Sequence, residues 1–241
     1  MDLAVLVDMD GTLVDSEPEW FAVESEVFAR LGASRRWTLA DADDLVGNAL
    51  EVSARMIVER SGSGGDPGQV VEWLVAAMAT RLRSGVPLKP GAGDLLARLA
   101  REGVPVALVS SSHRRLVDVV VAGLPPGSFA ATVAGDEVAR SKPHPEPYLT
   151  ACGLLGVDPS RTVVVEDSPT GARSGEAAGC RVVVVPDRAA LPAGHPWVEV
   201  GSLTEVTPGW LRGLLGSDGA QHVEPGGAAR GEDRGQHPDP G

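Results

Sequence analysis

Short apolar runs alternate with helix-period segments along most of the chain. Leu3-Ala4-Val5-Leu6-Val7 and the runs 104–109, 162–165 and 181–185 are short and mostly β-branched, as buried strands are. Between the later runs, residues 91–102, 113–122 and 145–155 carry apolar positions at helical spacing. Strands alternating with helices predict an α/β fold with a doubly wound parallel sheet. Both faces of such a sheet are covered, which suits uninterrupted valines.

The stretch from 15 to 87 breaks this rhythm. Residues 17–31, 49–60 and 67–82 read as helices, with no convincing strand among them. The pattern predicts an all-helical cap domain, 15–87, inserted into a core made of 1–14 and 88–216. Asp15-Ser16-Glu17-Pro18 and Gly85-Val86-Pro87-Leu88-Lys89-Pro90-Gly91 would be its hinges, rich in helix breakers. An insertion directly after a strand that ends in a site is placed to close over it. Residues 217–241 have almost no apolar side chains and are expected to be disordered. There are no internal repeats.

Composition narrows the partners. The 241 residues leave room for a substantial core in one or two domains. A net charge of −12 argues against nucleic acid, whose phosphates need a basic face. Phosphate on a small molecule stays possible where positive charge is local or supplied by a metal. Only Lys89 and Lys142 of the 21 basic residues are lysines, which draws attention to their places. Cys152 and Cys180 have no metal-ligand spacing and point to a reducing compartment. The N-terminal apolar run is too short for a signal peptide and follows Asp2 instead of a basic segment. No stretch approaches the ~20 apolar residues of a membrane helix. The expectation is a cytoplasmic protein with no membrane or nucleic-acid partner, and a monomer is compatible with the sequence.

Four polar clusters fall where predicted strands end. Asp8-Met9-Asp10-Gly11-Thr12 follows the first strand. Successive strand residues point to opposite faces, so the two carboxylates share a site only if the backbone turns at Met9. Gly11 permits the turn, and Thr12 supplies a hydroxyl. A lone Asp there would be only a turn or helix cap. Ser110-Ser111-Ser112-His113 follows the second run and leads into a helix. Hydroxyls and backbone N–H groups there suit an anion, while Ser112 alone would serve as an N-cap. Ser141-Lys142-Pro143-His144-Pro145 holds a compact ammonium in a stiff loop, against the plainer reading of a solvated lysine. Glu166-Asp167-Ser168-Pro169 sets two acids before a helix start. They suit Mg²⁺ or compensate the helix dipole. In a parallel sheet all four clusters lie on one edge, where ligands bind. A carboxylate nucleophile, a second carboxylate, an anion-binding hydroxyl, a cation and a metal site together match phosphoryl transfer.

These motifs, in this order over residues 8–168, resemble the haloacid dehalogenase-like (HAD) phosphatase superfamily. The likeness is to the branch with a helical cap, which includes sugar-phosphate phosphatases and β-phosphoglucomutase. The resemblance implies a Rossmann-like HAD core. It implies that Asp8 attacks phosphorus to form an aspartyl-phosphate, and that Asp10 acts as acid and then base. Ser110 and Lys142 would hold phosphoryl oxygens, with Gly11, Thr12, Ser111 and His113 beside the substrate. Mg²⁺ would be held by Asp8, the Asp10 carbonyl, Asp167 and, directly or through water, Glu166. Beside Mg²⁺ and Lys142, Asp8 should stay ionised at neutral pH. Asp10 also sets the chain apart from the superfamily's true dehalogenases, which resemble it in the first Asp and lack this partner.

Within that branch, Ser16-Glu17-Pro18-Glu19-Trp20 and Lys142-Pro143-His144-Pro145-Glu146-Pro147-Tyr148 look like sugar and sugar-alcohol phosphatases. β-Phosphoglucomutase has a cap arginine for a second phosphate. Here the stretch reads Leu45-Val46-Gly47-Asn48-Ala49-Leu50, with Leu50 at the aligned position and Arg55 the nearest substitute. The expected substrate is therefore a small phosphorylated metabolite that is hydrolysed, with a phosphosugar mutase as the alternative. Trp20 reads as cap core or as a platform for a sugar face. His113 reads as a substrate contact or an exposed residue. A silent binding module is disfavoured by Asp8, Asp10, Lys142 and Asp167 all being present. A dinucleotide-binding oxidoreductase is disfavoured by the lack of a Gly-x-Gly-x-x-Gly after the first strand.

Overall fold

The structure, a computed structural model, describes residues 2–188 and 190–216. The expectation for 217–241 lies outside the described residues. The strands are β1 (Ala4–Val7), β2 (Val106–Val109), β3 (Ala131–Val133), β4 (Thr162–Glu166), β5 (Arg181–Val184) and β6 (Val198–Glu199). They form one sheet in the order β3-β2-β1-β4-β5-β6. Every pairing is parallel, with Val5 opposite Val106 on one side and Val163 on the other. The doubly wound parallel sheet expected from the valine runs is present.

Strand residues divide between the two faces with period two. Val5, Val7, Val163 and Val165 face one hydrophobic cluster, and Leu6 and Val164 face the other. The first cluster is covered by α5 (Ala92–Arg101), α6 (Arg114–Ala122) and α9 (Pro208–Gly216); the second by α7 (Glu146–Leu155) and α8 (Pro169–Ala177). In α5 the apolar spacing Ala92, Leu95, Leu96, Leu99 is the buried stripe of an amphipathic helix. Gly175 lets α8 approach β4, since a Cβ there would stand 3.0 Å from Val164.

Between β1 and α5 run four helices: α1 (Glu17–Arg30), α2 (Leu39–Asp43), α3 (Leu50–Ser61) and α4 (Pro67–Arg83). Three match the predicted segments to within a residue or two. The fourth, α2, is too short for an apolar stripe. Thr38 and Asp41 make a capping box at its start, and the Arg35 guanidinium beside Asp41 holds that carboxyl well below the usual range. The chain leaves and rejoins the sheet region side by side. Val14 bridges antiparallel to Leu88. Asp15 N–H donates to Pro87 O at 2.7 Å and Lys89 N–H to Leu13 O at 3.0 Å. Among the described residues no helix is long and apolar enough to cross a membrane.

Candidate active site

The sheet reverses direction beside β1. The chain builds β1, β2 and β3 outward, then returns to lay β4 on the other flank of β1. The carboxyl ends of β1 and β4 thus flank a topological switch point, where crossing helices part and leave a crevice.

Asp8 is still held by the sheet, its N–H donating to Val165 O at 3.0 Å. The chain then doubles back, with Leu13 and Val14 N–H groups both bonded to Met9 O. Met9 is buried in the core, and Asp8 and Asp10 are left together on the cleft side. Gly11 sits at φ +80°, and a Cβ there would lie 2.3 Å from Asp167 Oδ2. Any side chain would displace that acid.

Lys142 joins three strand ends. Its Nζ donates to Asp8 Oδ1 at 2.6 Å, Glu166 Oε1 at 2.7 Å and Val109 O at 3.0 Å, which uses all three ammonium protons. Its side chain is 3% exposed, so the solvated-loop alternative is set aside. Burial works against its charge, but Asp8 and Glu166 more than offset this and hold its pKa above the usual lysine range. Glu166 is itself enclosed. Oε1 also accepts from the Tyr148 hydroxyl at 2.5 Å, and Oε2 from the Asp167 and Ser168 N–H groups and the Ser168 hydroxyl. Tyr148 was given no role by the sequence, because its partner is eighteen residues on and meets it only across the fold.

Asp8, Glu166 and Asp167 place carboxylate oxygens within 4.8 Å of one another. Burial and the Glu166 charge push Asp8 up to about 8, against the pull of Lys142. Burial and the charges of Asp8 and Glu166 raise Asp167 well above the usual range. Burial and the neighbouring acids thus favour the proton on Asp8 more than Lys142 alone offsets, so the expectation that Asp8 stays ionised beside Mg²⁺ and Lys142 rests on the metal. Hard oxygen donors and an unmet negative charge fit Mg²⁺. Glu166, with both oxygens taken, is the least available of the three. The Asp10 side chain is not in this cluster.

Asp10 is instead gripped from two sides. Ser16 Oγ and Trp20 Nε1, at the start of α1, donate to Oδ1 at 2.7 and 2.9 Å. Ser112 Oγ donates to Oδ2 at 2.8 Å, and Ser110 Oγ lies 3.4 Å from the same atom. Trp20 thus orients an acid rather than serving only as packing. Ser112 does not cap α6. His113 occupies the N-cap position, and the Ser112 hydroxyl is spent on Asp10. Ser110 Oγ accepts from Ser112 N–H at 2.9 Å. Thr12 Oγ1 is occupied by Asp167 Oδ1 at 3.2 Å. His113 pairs with Glu51 of α3 at 2.8 Å, joining α6 to the inserted helices.

Above this floor opens a cleft. Asp8, Asp10, Ser111, Ser112, Lys142, Asp167 and Ser168 line one end. The inserted helices line the rest, among them Glu17, Trp20, Glu24, Leu50 and Ser53. Gly11, Thr12, Ser110, His113 and Glu166 stand behind or beside the lining.

Residues 3–179 match the family model described as haloacid dehalogenase-like hydrolase. The chain belongs to the haloacid dehalogenase-like hydrolases. Among its relatives in this family, hexitol phosphatase B of Escherichia coli is 35% identical over 223 residues, 89% of this chain and 97% of the relative. Protein CbbY of Rhodobacter capsulatus is 34% identical over 193 residues, 76% of this chain and 85% of the relative. Among solved structures, CbbY of Rhodobacter sphaeroides in complex with xylulose-(1,5)bisphosphate superposes with a TM-score of 0.74 at 26% identity, covering 85% of this chain and 96% of that one. A β-phosphoglucomutase of Clostridium difficile, at 18% identity and a TM-score of 0.74, shares the HAD fold.

Proposed function

We propose that this HAD hydrolase is a Mg²⁺-dependent phosphatase acting on the monophosphate of a sugar or sugar alcohol. Asp8 attacks phosphorus as the bond to the substrate oxygen breaks, leaving an aspartyl-phosphate and a free alcohol. Asp10 gives the leaving oxygen its proton. It then takes a proton from the water that attacks the aspartyl-phosphate, which releases inorganic phosphate and restores Asp8. The backbone and hydroxyls of Ser110 and Ser111 hold the phosphoryl oxygens, and Lys142, its protons committed to Asp8, Glu166 and Val109, offsets their charge. Asp8, Asp167 and the Asp10 carbonyl would hold Mg²⁺, with Glu166 reaching it through water, and the bound ion would offset the charge of the acids and the phosphoryl group. Residues 15–87 serve as the cap over a core of 1–14 and 88–216, the two parts meeting at the Val14–Leu88 bridge. The low cysteine content carries a reducing, cytoplasmic setting into this reading.

The observation that carries the reading is the grip on Asp10. A carboxylate fixed by Ser16, Trp20 and Ser112 at the mouth of the Asp8–Lys142 floor is positioned to move protons at a leaving oxygen. The names of the relatives support a sugar-alcohol phosphate. The cleft also favours hydrolysis over mutase chemistry. Leu50 lines it, Arg55 is exposed and outside it, and Lys142 is the one cation among its described lining residues. A bisphosphate intermediate would have no counter-charge at its far end.

The test is inorganic phosphate release with Mg²⁺ across hexose, pentose, hexitol, glycerol and nucleotide monophosphates. The same plate includes β-glucose 1-phosphate with a trace of the 1,6-bisphosphate. Release concentrated on sugar or hexitol phosphates is the expected result. Glucose 6-phosphate formed with little free phosphate would replace the reading with a mutase.

A further inference from the structure

Away from Asp8 and Lys142, the cleft is lined by two polar groups that no described residue satisfies. Ser53 of α3 lines the cleft and is 6% exposed. Its backbone N–H bonds to Ala49 O at 3.1 Å, yet its hydroxyl has no partner among the described residues. A helical serine commonly returns its hydroxyl to the carbonyl one turn back; this one does not. Glu24 of α1 also lines the cleft and is 7% exposed. Trp37 Nε1 donates to its Oε2 at 3.0 Å, while Oε1 has no donor among the described residues. Both atoms open onto the cleft, unlike the sealed unpaired atoms Arg181 Nε and Trp210 Nε1, so they are free to hydrogen-bond a ligand seated there.

We propose that Ser53 and Glu24 form a hydroxyl-reading subsite, which accepts the uncharged polyol end of the substrate and rejects substrates carrying a second phosphate or a carboxylate. The proposal rests on the phosphatase reading and deepens it.

The surroundings point the same way. Glu17, seven residues before Glu24 on the same helix, also lines the cleft, and such spacing shares a face. The nearby cation is already committed, since Arg188 binds both Glu17, at 3.3 Å, and Asp43. A second anion would therefore meet carboxylates and no free positive charge. An ammonium is no better served. Burial, followed by the charge of Glu17, pushes Glu24 up to about 8 against the Trp37 hydrogen bond and Arg188. Near neutrality Glu24 thus carries a proton and offers a donor in place of a negative charge. Serine both donates and accepts. A protonated carboxyl and a hydroxyl fit a chain of alcohols.

The experiment compares kcat/KM for a hexitol 6-phosphate, a hexitol 1,6-bisphosphate and 4-nitrophenyl phosphate, in the full-length enzyme and in Ser53→Ala and Glu24→Gln. In the wild type the monophosphate should be preferred to the bisphosphate by at least about tenfold. Ser53→Ala should lower the ratio of hexitol phosphate to 4-nitrophenyl phosphate by about tenfold, chiefly through KM, while Glu24→Gln, which keeps a donor and an acceptor as the protonated carboxyl does, should keep it. Ser53→Ala keeps the helix and carries the test if Glu24→Gln misfolds. Equal losses on both substrates in Ser53→Ala, or bisphosphate turned over as well as monophosphate, would overturn the subsite and leave the phosphatase standing. Wild-type enzyme inert towards 4-nitrophenyl phosphate and every hexitol phosphate would overturn both.

Discussion

Trp20 donates its indole N–H to Asp10 Oδ1 at 2.9 Å, tying the first inserted helix to the loop that follows β1. A residue of the cleft wall and the acid that would move the proton are thereby one unit. Asp10 is fully oriented only when α1 lies where this structure has it.

Trp20→Phe keeps the ring and removes the donor. A hydrogen bond to a charged group contributes about 1.5–3 kcal/mol, and part of that here is orientation. We expect kcat to fall at least about tenfold with a smaller change in KM, measured by steady-state phosphate release. A change confined to KM would reduce Trp20 to a wall of the cleft.

Asp8→Asn should abolish turnover, because an amide is no nucleophile. Asp10→Asn should lower kcat by roughly 10²–10⁴-fold, the usual worth of a positioned acid–base group. Its Mg²⁺ affinity should survive, since the Asp10 side chain lies outside the acid cluster. Titration calorimetry of the Asp10 variant separates the two effects; parallel loss of metal binding would contradict the assignment.

Magnesium should raise the melting temperature. The ion relieves repulsion among Asp8, Glu166 and Asp167, and saturation at 100 times Kd stabilises by about 2.7 kcal/mol, roughly 5–10 °C for a domain of this size. Asp167→Asn should shrink that shift severalfold, and addition of a chelator to the wild type should reverse it. A melting curve indifferent to Mg²⁺ would speak against the metal centre.

Glu24 sets a pH dependence of the opposite sign to most carboxylates. Its carboxyl is raised from 4.5 to about 8, so between those values the folded chain binds the extra proton. Stability from this group is present at low pH and is lost as pH rises through the window. Glu24→Gln should therefore lose less stability than the wild type between pH 5 and pH 8.5, as read by denaturant midpoints. Identical slopes would mean that Glu24 ionises freely in the fold.

The central strands were legible because burial on both faces writes itself as valine runs. The edge strands β3 and β6 were not, being three and two residues long and only partly buried. The fourth inserted helix, α2, has five residues and leaves Leu39 60% exposed, so it carries no apolar period to read. At the site, the acids and Lys142 could be found because each follows a strand. Their partners could not. Tyr148, Trp20 and Ser112 meet Glu166 and Asp10 through tertiary geometry, and nothing local distinguishes a tryptophan that packs from one that donates. Ser53 and Glu24 look like ordinary helix residues until the helices are assembled around the cleft.

The arrangement around Lys142 also constrains how this chain can change. Replacing Lys142 leaves the buried acids without their cation, which costs about 3–5 kcal/mol. Replacing the set with apolar residues is neutral or favourable in comparable buried clusters. An inert, sturdier descendant is thus separated from the present sequence by a step through Lys142 that is worse than either end. The floor of the cleft resists drift by its own energetics, before any selection for chemistry is counted, whereas the wall that holds Ser53 and Glu24 faces no such barrier and is free to diversify.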